Sequence, residues 1–229
     1  MDYILDGLIR AVKLLFTGDP ETFSAVFTTL KVSSLSISAS LIVGIPLGFL
    51  LGYSQFSGKR QLRAIVDTLL AFPTVVVGLL VYAFISRRGP FGELGLLFTI
   101  PGIAAAQTML ITPIVVSLTA TAIEGLDRRL RLTLLALGAR GKQIALTSLS
   151  EARYAVLIAA VTAYGRAISE VGVSMMIGGN IKWHTRTITT AIALETGKGE
   201  FAMGIALGIV LLSLAFFVNS LLTMLKKRS

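Results

Sequence analysis

Residues 201–224 read FAMGIALGIVLLSLAFFVNSLLTM, a run with no charged side chain. A bilayer core takes roughly 20 apolar residues of helix, so this run can cross a membrane as a single helix. Gly204 and Gly208 stand four apart on one face of it, where a neighbouring helix can come close. Working outward, four more stretches qualify, at about 23–52, 64–86, 100–124 and 154–178. Together they predict an all-α membrane protein of five transmembrane helices forming one domain over residues 1–229.

Composition points the same way. Hydrophobic residues make up 54% of the 229 and charged residues 14%, and the mean hydropathy is +0.82, the range of polytopic membrane proteins rather than soluble domains. The formal charge of +9 needs no nucleic acid, because membrane proteins collect Lys and Arg on their cytoplasmic side. With no cysteine and with His184 as the one histidine, disulfides, thiolate nucleophiles and histidine clusters are excluded.

The first 21 residues, MDYILDGLIRAVKLLFTGDPE, do not read as a cleavable leader: acids come first and no apolar core of sufficient length follows. Ile4, Leu8, Ala11, Val12 and Leu15 fall near helical spacing, which predicts a short helix over about 3–17 lying in the membrane interface before Gly18, Asp19 and Pro20 break it.

Loop charges set the orientation. One side carries Lys59, Arg60, Arg63, Arg128, Arg129, Arg131, Arg140, Lys142, Arg153, Lys226, Lys227 and Arg228; the other carries Arg10, Lys13, Arg87, Arg88, Lys182, Arg186 and Lys198. The richer side is predicted to be cytoplasmic, which puts the N-terminus outside and the C-terminus inside.

Several residues within the spans carry more than hydropathy. Gly44, Gly48 and Gly52 repeat every four residues and predict close packing with another helix, while Pro46 predicts a kink. Pro73 and Pro113 interrupt two spans. Broken helices line transport cavities, where freed backbone groups find protein or water; the other reading is a kink satisfied by the Thr74 or Thr112 hydroxyl. Arg166 and Glu170 stand four apart, so each can neutralise the other at membrane depth. That pair is either structural or part of a wet pathway or gate in which partners exchange. Lys182, His184 and Arg186 either draw an anion to the outer mouth or anchor the helix end, with Trp183, at the interface.

The chain has no energy source of its own. GARGKQ (138–143) and ETGKGE (195–200) each hold Gly-Lys, but neither has the glycine spacing or the following Ser or Thr of a phosphate loop. No catalytic constellation is present. Residues 127–154, DRRLRLTLLALGARGKQIALTSLSEARY, combine arginines with Leu130, Leu134, Leu137 and Ile144 at near-helical spacing around Gly138, which suits a left-handed turn between two short helices. Such leucines need a cover, either lipid headgroups or a groove on a partner protein.

Residues 132–160, LTLLALGARGKQIALTSLSEARYAVLIAA, resemble the cytoplasmic loop of ABC importer permeases, in which Glu-Ala-Ala is followed after three residues by Gly and, about nine residues later, by a Leu-Pro end. Gly138 matches the glycine; Leu132, Thr133 and Leu134 stand in place of Glu-Ala-Ala, and Ser150 and Glu151 in place of Leu-Pro. GRAISEVGVSMMIGGNI (165–181), TRTITTAIALETGKGEFAMGIALGIVLL (185–212) and the run from Phe72 to Val116 are similar to oxyanion permeases of the molybdate and tungstate type, nearest the tungstate branch. The resemblance implies a type I ABC importer permease fold in the cell (inner) membrane and a coupling loop over about 125–153. Within that loop, Thr133, Leu134, Leu135, Ala136, Leu137, Gly138 and Ala139 would meet the ATPase. It also implies a second copy of the chain, cytoplasmic ABC ATPase subunits that use ATP and Mg, an external binding protein and an oxyanion cargo, with no cofactor in this chain. Molybdate or sulfate transport on the same architecture is the near alternative. A self-sufficient secondary transporter or channel is the distant one, and it would want ionisable residues along several spans and an inverted repeat.

Overall fold

The computed structural model describes the backbone of residues 2–227, and their side chains except at positions 2, 3, 11, 14, 15, 128 and 221–227. Arg228 and the side chains of Ala11, Leu15, Arg128, Lys226 and Lys227, named above, therefore lie outside the described residues. The described residues form only helices and turns: α1 (Asp2–Thr17), α2 (Pro20–Tyr53), α3 (Lys59–Leu70), α4 (Thr74–Ile85), α5 (Ile100–Glu124), α6 (Arg128–Ala136), α7 (Gly141–Glu151), α8 (Arg153–Ile168), α9 (Gly172–Gly178), α10 (Ile188–Gly197) and α11 (Phe201–Lys227). A single 3-10 turn, Gly92–Leu94, lies between α4 and α5.

The pair α2 and α5 is the spine. Asp19 starts α2 by accepting the Thr22 amide at 2.8 Å, with Pro20 in the first turn, where its missing N–H costs nothing. Thr99 does the same for α5 through the Gly102 amide at 3.1 Å. The glycine stripe works as its spacing predicts: a β-carbon at Gly48 would lie 2.7 Å from the Thr119 β-carbon and from the Val116 carbonyl, and one at Gly52 would lie 2.7 Å from the Ala120 carbonyl. Hydroxyls add to the contact, with Thr112 donating to Ser40 at 3.1 Å and Ser40 to the Thr108 carbonyl at 3.3 Å. In an apolar solvent, close backbone approach and hydroxyl pairs of this kind hold helices together without a hydrophobic driving force. Neither Pro46 nor Pro113 ends its helix.

Among the described residues three helices, α2, α5 and α11, are long and apolar enough to cross alone, the first two lying over the stretches 23–52 and 100–124. The other two expected spans are broken. Over 64–86 the chain bends by 97° between α3 and α4, at Ala71, Phe72 and Pro73. A proline has no N–H to donate and pushes the preceding residue out of the helical region, which stops α3. The 12 residues of α4 reach about 18 Å, short of the roughly 30 Å of a bilayer core. Over 154–178 the helix ends at Ile168 and restarts at Gly172.

At one end of the bundle α6 and α7 form a helical hairpin, with α7 turned 70° from α8. At the other end, α9 and α10 flank the turn 179–187. The segment over 3–17 is helical, and Gly7 seats it against Ile205 of α11, while Ile4, Leu8 and Val12 stay exposed as a lipid-facing stripe would. In α11, Gly204 packs on Thr196, while among the described residues nothing lies within 4 Å of a β-carbon at Gly208.

Candidate transport site

Two breaks in the helices meet inside the bundle. The α8–α9 break presents Glu170, 2% exposed, and the α3–α4 break presents Thr74. A β-carbon at Gly172 would lie 2.9 Å from the Thr74 hydroxyl and 3.4 Å from a Glu170 carboxylate oxygen, so the two breaks touch and only glycine fits between them.

Glu170 holds three elements together. Its Oε2 receives the Arg166 guanidinium at 2.7 Å, its Oε1 accepts the Val173 amide of α9 at 3.0 Å, and its backbone carbonyl accepts the Thr189 hydroxyl at 2.8 Å. The ion pair forms as the four-residue spacing predicts, but Glu170 sits in the break rather than on the helix that carries Arg166. The carboxylate thus also satisfies one of the free amides that any helix start leaves. The Arg166 side chain keeps 37% of its surface exposed against 1% for Glu170. One partner of the pair is fixed, and the other has room to move.

A second set of polar residues, legible only in the structure, binds the same region. Ser36 donates to Gln107 Oε1 at 3.1 Å, and Gln107 Nε2 donates to Ser174 at 3.2 Å and to the Ala167 carbonyl at 3.4 Å. Gln107 is 2% exposed. A lone glutamine in the alanine-rich start of α5 was the available signal, since a buried amide must find partners.

Of the pathway candidates, Pro73, Thr74, Arg166 and Glu170 are brought together. Pro113 is not: it lines an apolar groove of about 450 Å³ with Leu47, Leu50, Leu62 and Leu69. The Thr112 hydroxyl lies 2.6 Å from the Thr108 carbonyl, one residue before the Met109 carbonyl that Pro113 leaves without its helical donor.

The turn 179–187 uses its cations as anchors. Glu21 at the start of α2 takes the Arg186 guanidinium at 2.6 Å and the Lys182 ammonium at 2.7 Å. The buried Thr185 hydroxyl closes on the Gly178 carbonyl, and the Lys182 ammonium lies 5.4 Å from the centre of the Trp183 ring. His184 is exposed. Among the expected outer-mouth residues, the two stronger cations share the single carboxylate of Glu21.

At the α6–α7 end, Gly138 adopts φ +73°, the left-handed turn expected of it, with the Ala139 amide donating to the Leu134 carbonyl at 2.9 Å. The leucine stripe differs from the expectation. Ile144 is buried and Leu130 and Leu134 are half-buried, while Ala145 and Leu149 of α7 pack with Phe49, Tyr53 and Ile123. The apolar surface that remains open includes Leu132, Leu135 and Leu137 of the α6 end and Leu146 of α7, with Leu137 77% exposed. Arg131 covers the Tyr53 ring at 4.5 Å, which fixes the hairpin to the end of α2. Of the expected contact residues, Thr133, Leu135, Ala136, Leu137 and Gly138 are exposed, and Leu134 and Ala139 half-buried.

Over residues 44–229 the chain matches the family described as "Binding-protein-dependent transport system inner membrane component". It is 49% identical over 227 residues to the tungstate uptake system permease protein TupB of Campylobacter jejuni, covering 99% of this chain and 95% of that protein. It is 33% identical over 214 residues to the molybdenum transport system permease protein ModB of Escherichia coli, covering 89% and 92%. Its fold is shared with a chain of the MetNI methionine ABC transporter solved in inward facing conformations, at a TM-score of 0.76 and 19% identity over 91% of this chain and 95% of that one. An ion pair at a helix break, an open leucine surface at one end of the bundle and these similarities agree: the chain belongs to the inner membrane components of binding-protein-dependent transport systems.

Proposed function

We propose that this chain is the membrane-spanning subunit of an ATP-driven oxyanion importer and that its cargo is tungstate. What carries the cargo is the 49% identity over nearly the whole chain to a tungstate uptake permease. What supports the coupling is the exposed surface of Leu132, Leu135 and Leu137, which needs an apolar groove on another protein.

In this reading two copies of the chain enclose the pathway, and a cytoplasmic ATPase subunit seats each α6–α7 hairpin against Thr133–Ala139. ATP and Mg act in that partner. An external binding protein delivers the anion and sets most of the selectivity, since a permease that held the anion tightly would slow its release. Closure of the ATPases moves the hairpin, and α5 and α8 carry the movement as rigid rods to the meeting of the two helix breaks. There Arg166 has the freedom to leave Glu170 for the passing anion, because a guanidinium pairs with an oxyanion as it does with a carboxylate.

The decisive experiment is uptake of labelled tungstate, molybdate and sulfate into vesicles holding the permease, its ATPase and its binding protein. Tungstate uptake is expected, and it should stop when the ATPase is inactivated. Uptake that continues without ATP hydrolysis would point instead to a self-sufficient transporter.

Orientation has its own test, made clean by the absence of native cysteine. Thr17→Cys is expected to react with an impermeant thiol reagent from outside only, and Ser229→Cys from the cytoplasm only. Labelling of both positions from one face would overturn the odd number of crossings.

A further inference from the structure

At the end of the bundle opposite α6 and α7, the chain leaves α4 through Ser86, Arg87 and Arg88 and folds back on itself. The Phe91 amide donates to the Phe84 carbonyl at 2.9 Å and the Gly89 amide to the Ser86 carbonyl at 2.7 Å. The Phe84 and Phe91 rings stack at 6.3 Å. A β-carbon at Gly89 would collide with the Ala83 and Phe84 carbonyls, so the turn is built tightly onto the helix end. Between the end of α4 and the segment 86–98 lies a cavity of about 690 Å³ lined by Tyr82, Ser86, Arg87, Arg88, Gly92 and Phe98, among others.

The charges of this cavity differ from those of the turn 179–187. Lys182 and Arg186 are held by Glu21, and Lys198 by Glu195 at 2.9 Å. Arg87 and Arg88 are exposed and, among the described residues, have no carboxylate within ion-pair distance, although Glu93 lies on the same turn. Two adjacent guanidiniums facing one concavity, with the Tyr82 and Ser86 hydroxyls beside them, match the charge and donor needs of a tetrahedral dianion. The opposite end of α4 carries Thr74, against the Glu170 break. One 12-residue helix, about 18 Å long, therefore links this cavity to the Arg166–Glu170 pair.

We propose that the cavity at Arg87 and Arg88 is the entry site at which the oxyanion is taken from the binding protein before it reaches Arg166, a proposal that rests on the oxyanion-importer reading above. The cavity is larger than one such anion and open to water, so the anion is held hydrated and briefly. Positive charge in a concave, low-dielectric mouth raises local anion concentration and capture rate by about 10-fold or more, and salt screens the effect. The role first expected of Lys182, His184 and Arg186 falls here to the two arginines that no acid occupies.

The test uses the complete importer in proteoliposomes, with radiolabelled tungstate and saturating binding protein, at low and high ionic strength. The double variant Arg87→Gln, Arg88→Gln is expected to take up tungstate about 10-fold more slowly at low salt and to lose most of the salt dependence of the native protein. Its affinity for the binding protein, read by surface plasmon resonance, should be unchanged, and the Arg87→Lys, Arg88→Lys pair should recover most of the rate. Unchanged uptake by the glutamine variant would overturn the proposal. So would a weakened affinity for the binding protein with a normal rate once that protein is saturating, which would assign the arginines to docking an acidic protein surface. A native importer that carries no oxyanion at all would defeat the function reading itself, before any variant is compared.

Discussion

Replacing Leu137 with glutamate is expected to detach the permease from its ATPase while leaving it in the membrane. Leu137 caps the end of α6 with 77% of its surface exposed, beside Leu132 and Leu135. Burying one leucine in a partner's groove contributes about 1.5–3 kcal/mol, and forcing an unpaired carboxylate into the same groove costs several more. A combined loss of about 4 kcal/mol weakens attachment roughly 1,000-fold. The folded chain is untouched, because the side chain supports nothing within it. Gly138→Trp should act alike by another route. The residue lies at φ +73° with no atom near its missing β-carbon, so the cost is the roughly 1–2 kcal/mol of a left-handed backbone, with a bulky ring added to the docking surface. Affinity purification of a tagged permease reads the result: the variants should appear in the membrane fraction without a P-loop ATPase. Undiminished copurification would remove this surface from the coupling role.

The second large effect concerns Glu170. Glu170→Ala leaves Arg166 without its counter-ion and the Val173 amide without its acceptor, at membrane depth. Breaking a fully buried pair from one side typically costs about 3–5 kcal/mol; with Arg166 37% exposed the cost falls below that range, still a large share of a marginal stability. Glu170→Gln should lie between, since an amide oxygen can still accept from Val173. The informative variant is the doubly neutral one, Arg166→Gln with Glu170→Gln. If the pair only holds the bundle together, removing both charges restores stability and transport alike. If Arg166 passes between Glu170 and the anion, thermal stability in detergent returns while uptake stays at least about 10-fold low, which is the result expected here. Recovery of uptake would leave the pair a structural role alone.

How far the chain could be read depended on what each feature needs. The glycines of α2 were legible because a four-residue repeat marks one helix face whatever lies opposite, and Val115, Thr119 and Ala120 do lie opposite. The partner of Arg166 was legible for the same reason: four residues along the chain keep two side chains within reach even where the helix stops. The leucine stripe of 130–144 was only half legible, since spacing shows that leucines share a face but not which of them the fold buries, as it does Ile144, and which it leaves open, as it does Leu137. The cations of the outer turns could not be sorted by sequence at all. Lys182 and Arg186 both pair with Glu21, some 160 residues earlier, as the 165-residue separation of Arg186 from Glu21 makes plain.

By itself, then, the sequence determined the solvent of this protein, its helical class and where α2, α5 and α11 run. Each of these is a sum over neighbouring residues: hydropathy over a bilayer's length, periodicity over a few turns. Only the tertiary structure decided that α3–α4 and α8–α9 break, that the two breaks meet at Gly172 and Thr74, and which cations remain unpaired. These depend on contacts between segments far apart in the chain, where a break survives because a distant side chain satisfies the backbone it frees, as Glu170 does for Val173 and Thr189 for Glu170.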